Sequence, residues 1–162
     1  RPFGRMGPCS GRRYRRRGDV ILMIIDAVKE YIQKECPYVS GKKIKVNNLG
    51  EKPVSMSIEQ VPGSPVIKKY VDGGSQRQMI FVLASREEYT ETDWKQIEVA
   101  QFYEKLQNWF EEQNAKKTFP DIGNGLKPLR FEVSSSAYLM SSDYTTARYQ
   151  IQCKLIYYKE RR

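Results

Sequence analysis

Between residues 19 and 36 the apolar side chains Val20, Ile21, Ile24, Val28, Tyr31 and Ile32 recur at helical spacing. Asp26, Lys29, Glu30, Gln33 and Lys34 take the opposite side. That period predicts an amphipathic helix, capped by Asp19 and stopped by Pro37. Leu22, Met23 and Ile25 widen the stripe, so cover on two sides is expected. The pattern then changes to a period of two. Ile44 and Val46 alternate with Lys43 and Lys45, and Asn47-Asn48-Leu49-Gly50 reads as a turn. Val54, Met56 and Ile58 alternate with Ser55, Ser57 and Glu59, which predicts a half-buried strand. A further strand is expected over 66–71, closed by the tight-turn signal Asp72-Gly73-Gly74. Residues 79–84 form an unbroken apolar run, which predicts a central strand covered on both faces.

Helical spacing returns over about 92–115, where Trp94, Ile97, Phe102, Leu106, Trp109, Phe110 and Gln113 hold the period. Thr90 and Asp93 suggest a capping box. Pro120, Gly123, Gly125 and Pro128 read as a loop. Phe131, Val133, Ala137 and Leu139 then alternate along one strand, and Ser141-Ser142-Asp143-Tyr144-Thr145 reads as a hairpin turn. In the last strand Tyr149, Ile151, Cys153, Leu155 and Tyr157 share one face, and Gln150, Gln152 and Lys154 the other. The order α-β-β-β-β-α-β-β predicts an α+β fold, with an antiparallel or mixed sheet of about five to six strands packed with two helices. Residues 19–162 read as a single domain.

Charge changes the picture less than the total suggests. The chain of 162 residues carries a net +9. Seven of its 28 basic residues lie in 1–17, so 21 face 19 acids from Gly18 onward, a balance of +2. Residues 1–18 read as a basic, disordered arm, either native or a remnant of cloning. Its cluster Arg12, Arg13, Tyr14, Arg15, Arg16 and Arg17 has the chemistry to bind phosphates and stack on a base. The alternative function is therefore nucleic-acid binding through the arm. No apolar run approaches the ~20 residues of a membrane-spanning helix, and no signal-peptide pattern is visible.

The candidate chemistry is sparse. The chain has no His, the commonest general base and metal ligand. The three Cys lack metal-site spacing. Cys153 belongs to an apolar strand face, and Cys36 ends a helix, where the dipole does not activate a thiol. The glycine pairs Gly73-Gly74 and Gly123-Asn124-Gly125 lack the Lys-Ser or Lys-Thr of a phosphate loop. No paired-carboxylate motif supports a hydrolase. Neither enzyme activity, metal nor cofactor is expected. The eleven Tyr, including Tyr138, Tyr144 and Tyr158 on strand faces or loop tips, suit protein contact.

Several stretches also carry a family likeness. Val71-Asp72-Gly73, Phe81-Val82-Leu83-Ala84-Ser85-Arg86-Glu87-Glu88-Tyr89, Phe102-Tyr103-Glu104 and Trp109 come in order, followed by Tyr138 through Tyr157 with Asp143 and Thr146-Ala147-Arg148-Tyr149. Over about residues 20–160 this resembles the minor capsid or tail-terminator proteins of long-tailed bacteriophages and prophages of Gram-positive hosts; the arm has no counterpart there. The resemblance implies a structural virion protein at the head-proximal end of the tail, assembled in the bacterial host cytoplasm. It implies a homo-oligomer, a hexameric ring that caps the major tail-tube protein and receives a head-completion or connector protein, with DNA only in passage and no membrane. Whether the tail is contractile, flexible or a tailocin stays open. The candidate protein-interface residues are the projecting turns: Asn47 and Asn48, Asp72 and Gly73, and Asp143 and Tyr144.

Overall fold

A computed structural model describes residues 17–39, 43–47, 49, 55–88, 93–142 and 145–161, with backbone alone at 17–23 and 93. The first helical pattern forms α1 (Arg17–Glu35), followed by a 3-10 turn at Pro37–Val39. The helix starts two residues ahead of the expected cap. Residue 19 therefore lies inside the first turn rather than at the cap. Ile24, Ile25, Val28, Tyr31 and Ile32 are buried.

Seven strands follow the period-two segments: β1 (Ile44–Val46), β2 (Ser55–Gln60), β3 (Val66–Lys69), β4 (Ser75–Glu88), β5 (Leu126–Val133), β6 (Tyr138–Ser142) and β7 (Thr146–Lys159). Helix α2 (Asp93–Lys116) separates β4 from β5. The α+β class expected from the pattern is the class observed, with a mixed sheet in the order β1-β2-β4-β7-β5. Its spine is the antiparallel pair β4 and β7, matched over 14 residues from Ser75↔Lys159 to Glu88↔Thr146. β3 and β2 lie end to end along one side of β4, and β5 and β6 end to end along the other side of β7.

Two expectations need correction, and a third falls partly outside the described residues. Of the expected turn Asn47-Asn48-Leu49-Gly50, Asn48 and Gly50 lie outside them; β1 and β2 run parallel, Ile44 beside Met56 and Val46 beside Ile58, so the two strands are not a hairpin. The C-terminal strand expected from Phe131 to Leu139 is two strands, β5 and β6, each paired with β7, so the sheet has seven strands. Finally, Pro128 lies within β5 rather than in a loop. It is tolerated there because β5 is an edge strand with a register shift between Pro128 and Arg130.

Both helices pack on one face of the sheet. Register puts Met79, Phe81, Leu83, Met56, Ile58, Ile151, Cys153, Leu155 and Phe131 on that face, and all are buried. From α2 come Val99, Tyr103, Leu106, Phe110 and Gln113, again buried and spaced as one helical stripe. Phe131 gathers the aromatic residues, with ring centroids 5.0 Å from Phe110 and 6.0 Å from Tyr31 and Phe119. The Asn114 amide clamps the same residue: Nδ2 donates to the Phe131 carbonyl at 2.7 Å, and Oδ1 accepts from its N–H at 2.8 Å. A side chain thus occupies backbone positions that a further strand would use along β5.

Candidate functional site

β4 is buried on both faces, as expected, although no described helix lies on the face away from α1 and α2. Val82 and Ala84 are buried there, but under long polar side chains. In register beside them lie Ser57 and Glu59 of β2 and Gln150 and Gln152 of β7. Arg148 Nη2 donates to Glu59 Oε2 at 2.9 Å and to Gln150 Oε1 at 3.3 Å. Ser57 Oγ donates to Glu59 Oε1 at 3.1 Å, and Gln150 Nε2 donates to the Tyr138 hydroxyl. One chain of polar contacts thus runs over the spine from β2 to β6. The buried Nε of Arg148 has no hydrogen-bond partner among the described residues.

The charges of the sheet are unequal on its two faces. By register the open sheet face carries Lys45, Lys68, Arg86 and Lys127, with Arg130, Arg148 and Lys154. Against these seven cations stand Glu59, Glu88 and Glu132, a balance of +4. Register puts Lys69, Arg77 and Lys159, with Glu87, on the opposite sheet face beneath the helices. The open sheet face is therefore the more basic of the two. Glu132 is held below the usual carboxylate range, first by its hydrogen bond from Arg130 (2.7 Å) and then by Lys154 (3.1 Å).

The outward side of α2 differs from its sequence pattern. Trp94 and Ile97 were expected on the core stripe, yet they are 65% and 55% exposed. Helical geometry explains this: the buried stripe starts at Val99 and Tyr103, and Trp94 and Ile97 fall on the far side of the cylinder. Gln101, Glu104, Asn108 and Glu111 extend the same exposed line. β6 is exposed along its whole length, with Tyr138, Leu139 and Met140 in succession.

Of the expected interface residues, Asn47, Asp72 and Gly73 are described. Asn47 closes β1 in the left-handed region (φ 52). Its N–H donates to the Ile58 carbonyl at 2.8 Å, and its Oδ1 accepts from the Gln60 N–H at 3.1 Å. Asp72 and Gly73 form the β3–β4 turn. Asp72 Oδ1 accepts from the Gly74 N–H at 2.9 Å, and Gly73 has φ 90. This turn sits at the Ser75 end of the spine, whereas Thr146, which follows Asp143 and Tyr144 in the chain, pairs at the Glu88 end. Some 14 residues of strand, roughly 45 Å, separate those ends. Asn48, Asp143 and Tyr144 lie outside the described residues, as do Arg12, Arg13, Tyr14, Arg15 and Arg16; Arg17 opens α1 by its backbone.

Two shallow depressions flank α1, one beside Asp26, Glu30 and Asp121 and one beside Tyr31, Lys34 and Phe119. Among the described residues no group of three or more His, Cys, Asp or Glu comes together as metal donors. Cys36 and Cys153 are buried, and burial raises the pKa of both thiols. The extended features are thus the open sheet face and the outward stripe of α2. The sequence carried a signal for the second, since the apolar pair precedes acids at heptad-like intervals. The first needed the strand register. In comparisons with known proteins, no family model matches the chain and no curated protein matches it significantly.

Proposed function

We propose that this chain is a structural virion subunit. It assembles into a ring on the end of a phage tail tube and joins the tail to head-completion proteins. The observation that carries the reading is the two-layer build: among the described residues, a 14-residue ribbon of β4 and β7 bears helices on one face only. A helix-free sheet face and a helix layer with an exposed Trp suit association with other subunits. The family likeness of 71–89, 102–109 and 138–157 supplies the identity of those partners. Mechanism on this reading is shape matching. A head-to-tail interface that closes by rotation makes a ring, and one that does not makes a filament. A cap must fit the tube on one side and fail to fit a further tube ring on the other.

Sizing of the purified chain by light scattering, followed by electron microscopy with the tail-tube protein, tests this. Closed rings that cap tubes are the expected result. A chain that stays monomeric and ignores the tube protein at high concentration sinks the reading.

A further inference from the structure

We infer, resting on the assembly reading above, that the outward stripe of α2 in one copy docks on the helix-free sheet face of the next. Three observations select this occupant. The first is charge: the sheet face carries +4 by register, and the outward line of α2 through Trp94, Ile97, Gln101, Glu104, Asn108 and Glu111 holds two carboxylates and no cation. The same molecule therefore presents a basic face and an acidic helix stripe, which fits a head-to-tail contact between identical copies.

The second is length. Helix α2 has 24 residues and spans about 36 Å, while the β4–β7 ribbon has 14 residues and spans roughly 45 Å. A helix laid along the ribbon finds sheet beneath its whole length. The layering that results, helices on both sides of one sheet, is among the stable solutions for covering a strand pair.

The third is the exposed apolar anchor. Trp94 is 65% exposed and Ile97 is 55% exposed, one turn apart, with Glu104 and Glu111 continuing the line. A Trp flanked by charged positions is the composition of an interface centre with a polar rim. On the receiving side Val82 and Ala84 keep the middle of the face low, and cations stand around it. The contact leaves the α1 side and the turn at Asp72 and Gly73 available to tube or head partners.

Charge reversal with rescue tests the contact in the full chain. Lys45, Lys68, Glu104 and Glu111 are all exposed, so K45E/K68E and E104K/E111K keep the fold, which far-UV circular dichroism checks. By light scattering at low salt, each pair is expected to weaken self-association by about tenfold or more, and the fourfold variant to recover most of the loss. The unaltered chain offers a second readout. Its two Trp differ, Trp109 being buried and Trp94 exposed, so association should shift the emission of Trp94 to the blue and shield it from iodide.

Assembly of full strength in both reversed pairs, with Trp94 still open to iodide, overturns the contact and leaves the ring reading standing. Absence of any self-association in the parent overturns both. A K45E/K68E variant that loses a duplex DNA probe while self-associating normally assigns the sheet face to a polyanion and overturns the contact.

Discussion

Arg148 on β7 reaches across the whole width of β4 to Glu59 on β2, Nη2 to Oε2 2.9 Å. The two residues are not strand neighbours. Arg148 lies opposite Arg86 and Glu59 opposite Val82, with Ala84 between them in register. A small side chain at that position leaves the path open. The bridge offsets the cross-strand repulsion of Arg86 and Arg148, which would otherwise face each other as like charges.

Both partners are mostly shielded, with side chains 22% and 28% exposed. Arg148→Met therefore leaves the Glu59 carboxylate half-buried without its cation and should lower stability by about 1–2 kcal/mol. Glu59→Gln should do the same from the other side. In urea unfolding the double variant is expected to lose less than the sum of the two. Strict additivity would show that the pair does not couple.

Tyr103 ties α2 to two strands. Its hydroxyl donates to the Tyr149 carbonyl at 3.1 Å. A carbonyl only accepts, so the Ser85 hydroxyl must supply the proton of the short contact between Ser85 and Tyr103. Ser85 is fully buried. Tyr103→Phe strands both groups and is expected to cost about 1–3 kcal/mol in chemical denaturation. Ser85→Ala should cost less, because Tyr103 then keeps its carbonyl partner. The reverse ranking would refute this assignment of protons.

Burial pushes Tyr31 up to about 12, with Glu35 and Cys36 adding to it, and burial likewise raises Tyr103 above its ordinary value. Unfolded tyrosine ionises near pH ~10. A group whose pKa is raised by folding contributes fully below the unfolded value and loses that contribution as pH climbs through the folded one. Stability should hold up to pH ~10 and then fall steeply towards pH ~12. Absorbance at 295 nm alongside circular dichroism checks it. Ionisation of all eleven tyrosines near pH ~10 in a still-native chain would contradict it.

Gly73 holds φ 90 in the β3–β4 turn, and a Cβ there would lie 2.7 Å from Cδ of Arg161. Gly73→Ala should destabilise by about 1–2 kcal/mol in a thermal melt, through backbone strain in the left-handed region. Arg161→Ala combined with it removes the side-chain clash but not the strain, so most of the loss should persist. Full recovery in the pair would show that the clash alone matters.

Periodicity carries local information, and much of this molecule is local. The stripe of Ile24, Val28 and Ile32, the alternation of Ile151, Cys153 and Leu155, and the turn at Asp72 and Gly73 are written as spacing along the chain, because side-chain direction follows backbone repeat. They sufficed for two helices, most of the strands and the α+β class. Partnership between distant segments has no such trace. Nothing in the run of residues marks β1 as parallel to β2 or divides the strand after Val133; each depends on which strand lies alongside. The bridge from Glu59 to Arg148 joins positions 89 residues apart. The basic character of the open sheet face likewise arises only after register has sorted a near-neutral set of charges.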